Sequence, residues 1–141
     1  MKTNSIIILL AVILIALCGC KKIEFRNDIS GQWNINRISG GFILQTPTPY
    51  FDNLYLKKNN HYFIYRNDTL LASGSYNIDK AMNGIFLGAK YEILFRKDYD
   101  IEKRLFFPFD ESVAVTYYSS DTLYLHDYMS DGFGYLFTRP K

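Results

Sequence analysis

The strongest constraint on this chain is a two-residue periodicity sustained through its middle. From Thr69 to Asp79 the even positions Leu70, Ala72, Gly74, Tyr76 and Ile78 are apolar or small, and the odd positions are polar except Leu71. From Ile85 to Arg96 the odd positions Ile85, Leu87, Ala89, Tyr91, Ile93 and Phe95 form one face, opposite a mixed face of Phe86, Gly88, Lys90, Glu92, Leu94 and Arg96. Successive side chains alternate faces only on an extended strand, so each run predicts a half-buried strand. No window longer than about ten residues carries a helical period.

Shorter runs extend the pattern. Strands are expected at Gln32 to Ile38, Asn53 to Lys57, His61 to Arg66, Leu105 to Phe107, Val113 to Tyr118, Thr122 to Asp127 and Phe133 to Thr138. Turn residues separate most of them: Lys58-Asn59-Asn60, Asn67-Asp68, Met82-Asn83-Gly84, Ser119-Ser120-Asp121 and Ser130-Asp131-Gly132. Evenly spaced strands joined by short turns predict an all-β fold, either an antiparallel sandwich or a closed barrel. The segment Arg96 to Arg104 reads as a solvated hairpin loop or a helical turn. Ser39 to Pro49, with two glycines and two prolines, reads as a surface loop.

The amino terminus has a different composition. Lys2 precedes twelve uninterrupted apolar residues from Ile6 to Leu17, the length of a secretory signal's apolar region and well short of the roughly twenty that span a bilayer. The phrase Leu17-Cys18-Gly19-Cys20 that follows resembles the lipobox of bacterial lipoproteins, with Cys18 where Ala or Ser is commoner. That resemblance implies cleavage before Cys20, a diacylglyceryl group on its sulfur and often an acyl group on the new amine. Two or three acyl chains hold a protein on a membrane essentially permanently. Lys21, in place of Asp, gives no signal for inner-membrane retention, so the implied address is the outer membrane.

Residues 1–19 are thus expected to be a signal peptide and residues 20–29 a lipidated, mixed-charge tether, with one domain over residues 30–141. The mature chain would have 141 − 19 = 122 residues, enough for one core and too few for two. Its 16 − 1 = 15 Lys and Arg against 14 Asp and Glu give a net charge of +1, which argues against nucleic acid as a partner. Cys20 would be its only cysteine, so neither a free thiol nor a disulfide is expected.

A second resemblance lies in the body of the chain. Gly31-Gln32-Trp33 opens the first strand, Ser120 to Leu125 reads as a hairpin phrase, and Phe137-Thr138-Arg139 closes the chain. Together with the alternating strands these resemble the lipocalin-like domains of bacterial envelope lipoproteins over roughly Ile29 to Arg139. The family's middle Thr-Asp-Tyr turn has no counterpart. The resemblance implies an up-and-down antiparallel β-barrel of about eight strands. It also implies an end plug in which Gly31 permits a tight entry, Trp33 closes the barrel and Arg139 packs over the indole, a favourable cation-π arrangement. Tyr62, Tyr76, Tyr91, Tyr117 and Phe137 then either line a cavity for a small apolar ligand or fill the interior of a small barrel.

The sequence offers little for catalysis or metal binding. His61 and His126 are far apart with no free cysteine between them. Asp98, Asp100 and Glu102 begin like a calcium loop but lack its Gly and closing Glu. Ser119, Ser120, Asp121 and His126 are close in sequence, which is not evidence of a hydrolytic triad, and no Gly-x-Ser-x-Gly elbow is present. Asp110 and Glu111 would point to opposite faces of a strand. No enzyme, metal or cofactor is expected. The family resemblance implies a carrier of a small apolar molecule, and the alternative is an interaction or inhibitor module that works through the barrel exterior; an aromatic-lined cavity of about 300 Å³ or more would favour the carrier, a filled interior the module.

Overall fold

The computed structural model describes residues 24–40, 49–81, 88–100, 107, 112–128 and 132–141. Eight strands follow one another: β1 (Gly31–Gly40), β2 (Asn53–Leu56), β3 (His61–Arg66), β4 (Thr69–Lys80), β5 (Tyr91–Asp100), β6 (Ser112–Tyr118), β7 (Thr122–Asp127) and β8 (Phe133–Thr138). Each pairs antiparallel with the next, and β8 returns to β1, so the sheet closes into an up-and-down barrel. Closure leaves no unpaired sheet edge, and it folds the apolar face of every strand inward on one core.

The alternation expected in the sequence is the inside-outside alternation of the barrel wall. In β4, Ala72, Gly74, Tyr76 and Ile78 are buried while Asn77 and Asp79 are exposed. Leu71, the one apolar residue at an odd position of that run, is the extra residue of a bulge: Ile64 pairs with Ala72 and Tyr65 with Leu70, and Leu71 joins the core. A bulge puts two residues opposite one, so the parity of the strand changes there.

Three expectations change. The strand expected from Ile85 starts at Tyr91, because Gly88 takes a left-handed backbone (φ +65°) incompatible with an extended strand; residues 82–87 lie outside the described part. At its other end the strand runs on through Arg96 to Asp100, where a loop or helical turn was expected. There its backbone pairs with Ala72 to Ser75 of the long β4, and ladder hydrogen bonds outweigh the unfavourable local charge pattern. Phe107, expected in a strand, is at a bend, and Leu105 and Phe106 lie outside the described residues, as do residues 41–48 of the expected surface loop.

The third change concerns the tether. Residues 24–29 are a short helix rather than an extended spacer. Phe25 and Ile29, four apart and so on one helical face, are both buried in the barrel core. Ser30 closes the helix, its backbone N–H and its hydroxyl both donating to the Arg26 carbonyl at 3.1 and 2.6 Å.

Candidate functional site

Strand direction defines two ends. The helix over residues 24–29, the start of β1, the β2–β3 and β6–β7 turns and the chain end after β8 are at one end; residues 49–52 and the turn Asn67-Asp68 are at the other. The first end is sealed. Trp33 is fully buried, and its Nε1–H donates to the Ile29 carbonyl at 2.7 Å, which satisfies the one polar atom of the indole. The Arg139 guanidinium lies over the indole, 3.8 Å from the ring centroid. Its Nη2 donates to the Asp28 carbonyl at 2.8 Å, and its Nη1 and Nε reach the Gln32 and Ser120 carbonyls, both at 3.4 Å. One side chain therefore ties the helix, β1, the β6–β7 turn and the end of β8 together. Burial lowers the guanidinium pKa, but an arginine remains charged at neutral pH.

Gly31 has φ +116°, a conformation that L side chains rarely adopt, and a Cβ there would meet the Arg139 guanidinium. Arg139 thus packs against both of the other residues grouped in the sequence, Gly31 and Trp33. Phe25 completes the seal, stacked on Tyr91 (4.1 Å, 7° between planes) and edge-on to Tyr118 (4.8 Å). Phe25 and Ile29 were missed as plug residues in the sequence; their i, i+4 spacing within KKIEFRNDI was the available signal.

Further in, aromatic rings meet across the lumen. Phe107, supplied by the segment between β5 and β6, is 4.9 Å from Phe95 on β5, 5.9 Å from Tyr135 on β8 and 6.5 Å from Tyr62 on β3. It also packs edge-on to Phe51, just before β2, at 5.7 Å. Phe51 in turn meets Phe137 at 6.3 Å, and Tyr62 meets Phe95 at 5.2 Å. A ring in contact with three different walls of an eight-stranded barrel occupies its interior.

The five proposed cavity residues separate in the structure. Tyr62 and Phe137 belong to this packed aromatic cluster, and Tyr76 borders it through Phe95 at 6.3 Å. Tyr76 is buried near the plug, where its hydroxyl donates to the Lys57 carbonyl at 2.7 Å and holds the β2–β3 turn. Tyr91 is half-buried and belongs to the plug through Phe25. Tyr117 is 55% exposed and faces outward. It is not a lumen residue: the β6–β7 register shifts between Val115 and Tyr117, so Thr116 is the extra residue, and Tyr117 shares a pair, and hence a face, with Tyr124 instead of with Leu123.

The polar groups have structural settings. Ser119 donates to Asp121 Oδ1 at 2.7 Å and accepts from the Thr122 N–H at 3.1 Å, closing the β6–β7 turn; the Ser119 hydrogen bond, with one from the Thr122 hydroxyl at 3.0 Å, holds the Asp121 carboxyl below its ordinary pKa. His126, further along β7, has Nδ1 2.6 Å from the Asp127 carbonyl, so the four residues do not form a hydrolytic set. His61 is exposed on β3. Glu92 accepts from the Tyr128 hydroxyl at 2.8 Å, and burial followed by the neighbouring carboxylate pushes that phenol far up, so it stays a neutral donor. Among the described residues no three His, Cys, Asp or Glu side chains gather into a cation site. Cys20 lies outside the described residues.

Shallow concavities lie on the barrel exterior over β1, β2 and β3. One of about 280 Å³ is lined by Gln32, Asn53, Tyr55, Tyr65 and Asp68. A neighbour of about 480 Å³ shares Asn53 and adds Asn34. Comparison with protein-family models, characterised proteins and solved structures finds no match.

Proposed function

We propose that the chain is a lipid-anchored, non-catalytic binding module of the bacterial cell envelope, with a lipocalin-like barrel that engages its partner through its outer surface. The observation that carries this reading is Phe107, whose ring takes up lumen space against β3, β5 and β8. The end plug of Gly31, Trp33 and Arg139 supports kinship with the lipocalin-like barrels. The anchor reading rests on the lipobox at Cys20. Only the few residues between Cys20 and the helix at 24–29 would then separate membrane from barrel, a reach of at most about 14 Å. The plugged end, where the chain enters, would face the membrane of residence, the outer membrane, and the other end would point away.

Two measurements test this. Mass spectrometry of membrane-extracted protein should give a mature amino terminus at an acylated Cys20; an unmodified or uncleaved terminus removes the anchor. Titration with an apolar fluorescent probe, anilinonaphthalene sulfonate, tests the lumen. The native protein should give no saturable one-to-one enhancement. Phe107→Ala, which vacates a buried ring's volume and leaves an apolar cavity, should acquire it. Saturable micromolar binding by the native protein would instead favour the carrier of a small apolar molecule.

A further inference from the structure

The outer face of β1–β3 has an unusual composition. Cross-strand pairing sets Gln32 beside Tyr55 and Tyr55 beside Phe63, and in the next outward row Asn34 beside Asn53 and Asn53 beside Tyr65. These six neighbours are three amides and three aromatic rings, with no charged side chain among them. Most barrel exteriors are interspersed with charges, so the neutrality of the patch indicates the partner's chemistry. Lys57 is the cation beside the six, its ammonium held over the Phe63 ring, and Asp68 is at the edge, so a polyanion would meet no cluster of cations. A lipid surface would meet no cluster of lysines.

The arrangement is built as well as neutral. Gln32 Nε2 donates to Asn53 Oδ1 at 2.9 Å, which ties the two amides together and leaves the Asn53 amide N–H groups and the Gln32 carbonyl for a ligand. Phe63 lies nearly parallel to Tyr65 (6.4 Å, 25°), and Lys57 covers Phe63 with its ammonium 4.5 Å from the centroid. Phe63 is thereby a covered buttress, and Tyr65 is held by it. Tyr55 is 38% exposed. Diagonal cross-strand neighbours are about 7–8 Å apart, so Tyr55 and Tyr65 give a linear ligand two stacking stations. Asp68, held at the edge by the left-handed Asn67-Asp68 turn, lines the same concavity and offers carboxylate acceptors.

Electron-rich ring faces attract the weakly positive C–H face of a pyranose ring, as they attract the edges of other aromatics. Amides beside them donate to and accept from hydroxyls at once, and a carboxylate accepts from hydroxyls. We propose that this face is a binding site for a neutral oligosaccharide, stacked on Tyr55 and Tyr65 and hydrogen-bonded by Gln32, Asn53 and Asp68. The proposal rests on the exterior-recognition reading above and names its partner class.

The full chain in detergent is applied to a printed array of neutral oligosaccharides (glucans, mannans, xylans, galactans) and uronic-acid oligosaccharides. Binding should be confined to neutral members. On the best of these, Tyr55→Ala and Tyr65→Ala should each weaken binding about tenfold, the equivalent of one stacking contact. Tyr55→Phe should keep most of it, because the ring remains. Tyr117→Ala, an exposed tyrosine on the far wall, should bind as the native protein does, and unchanged thermal unfolding of each variant shows that the wall is intact. No binding on the array, binding confined to uronic acids, or survival of binding in the Tyr55→Ala/Tyr65→Ala double variant would overturn the proposal. An array without binders together with a lumen that takes up no apolar probe removes the saccharide and leaves exterior recognition standing; saturable probe binding by the native protein removes exterior recognition itself.

Discussion

Trp33→Ala should cost about 3–5 kcal/mol of folding stability, a large share of what a domain of this size has. The indole is fully buried, its N–H is committed to the Ile29 carbonyl, and Arg139 roofs it. Truncation would leave a cavity between the helix over residues 24–29 and the barrel, and it would unpair the Ile29 carbonyl. Arg139→Ala should cost about 1–2 kcal/mol through the lost cation-π contact and the lost cover of its aliphatic stem. Because the two groups touch, the double variant should lose less than the sum of the single losses. Denaturant unfolding of the four proteins provides the cycle. Additivity within error, or a nearly neutral Trp33→Ala, would show that the contact does not seal the barrel.

The second large effect is expected at Gly74. This residue faces the lumen in β4, paired with Tyr62 on one side and Lys97 on the other, at a bulge where Asp98 is the extra residue of β5. A Cβ there would collide with the backbone carbonyl of Arg96 and come within 3.0 Å of the Tyr62 ring. Backbone cannot yield as a flexible side chain can, and moving Arg96 would break the β4–β5 ladder. Gly74→Ala should therefore cost about 3 kcal/mol, at the upper end for overpacking a closed core. The midpoint of thermal unfolding should fall accordingly, with far-ultraviolet circular dichroism retaining its β character below the transition. A midpoint within a degree of the native one would mean that the bulge relaxes around the new methyl. Gly31→Ala, strained by its φ and by Arg139, supplies an independent comparison at the plug.

Which parts of this molecule were legible in its sequence follows from the range of the forces involved. Alternation is a local consequence of the pleat, and β3, β7 and β8 have the bounds that their residues imply. The stacking of Arg139 on Trp33 and the positive φ of Gly31 agree with what the family resemblance implied for these three residues. Other features depend on long-range pairing. A bulge is invisible in a period-two reading until the partner strand sets the register, so Thr116 turned Tyr117 outward with no sequence signal to mark it. Leu71 was visible only as an irregularity. The charged run Arg96 to Asp100 became strand because β4 had backbone groups left to satisfy. The helix over residues 24–29 exists because Phe25 and Ile29 find the barrel mouth; a six-residue helix is marginal without such packing. Likewise, Phe107 meets Phe95, Tyr62 and Tyr135 only because a segment remote in sequence carries its ring into the lumen. Strand periodicity and the all-β class are written in neighbouring side chains and could be read before any partner strand was known. Register, the seating of Phe107 between β3, β5 and β8, and the grouping of amides and rings on the outer face of β1–β3 came with the fold, because each requires residues far apart in the chain to meet.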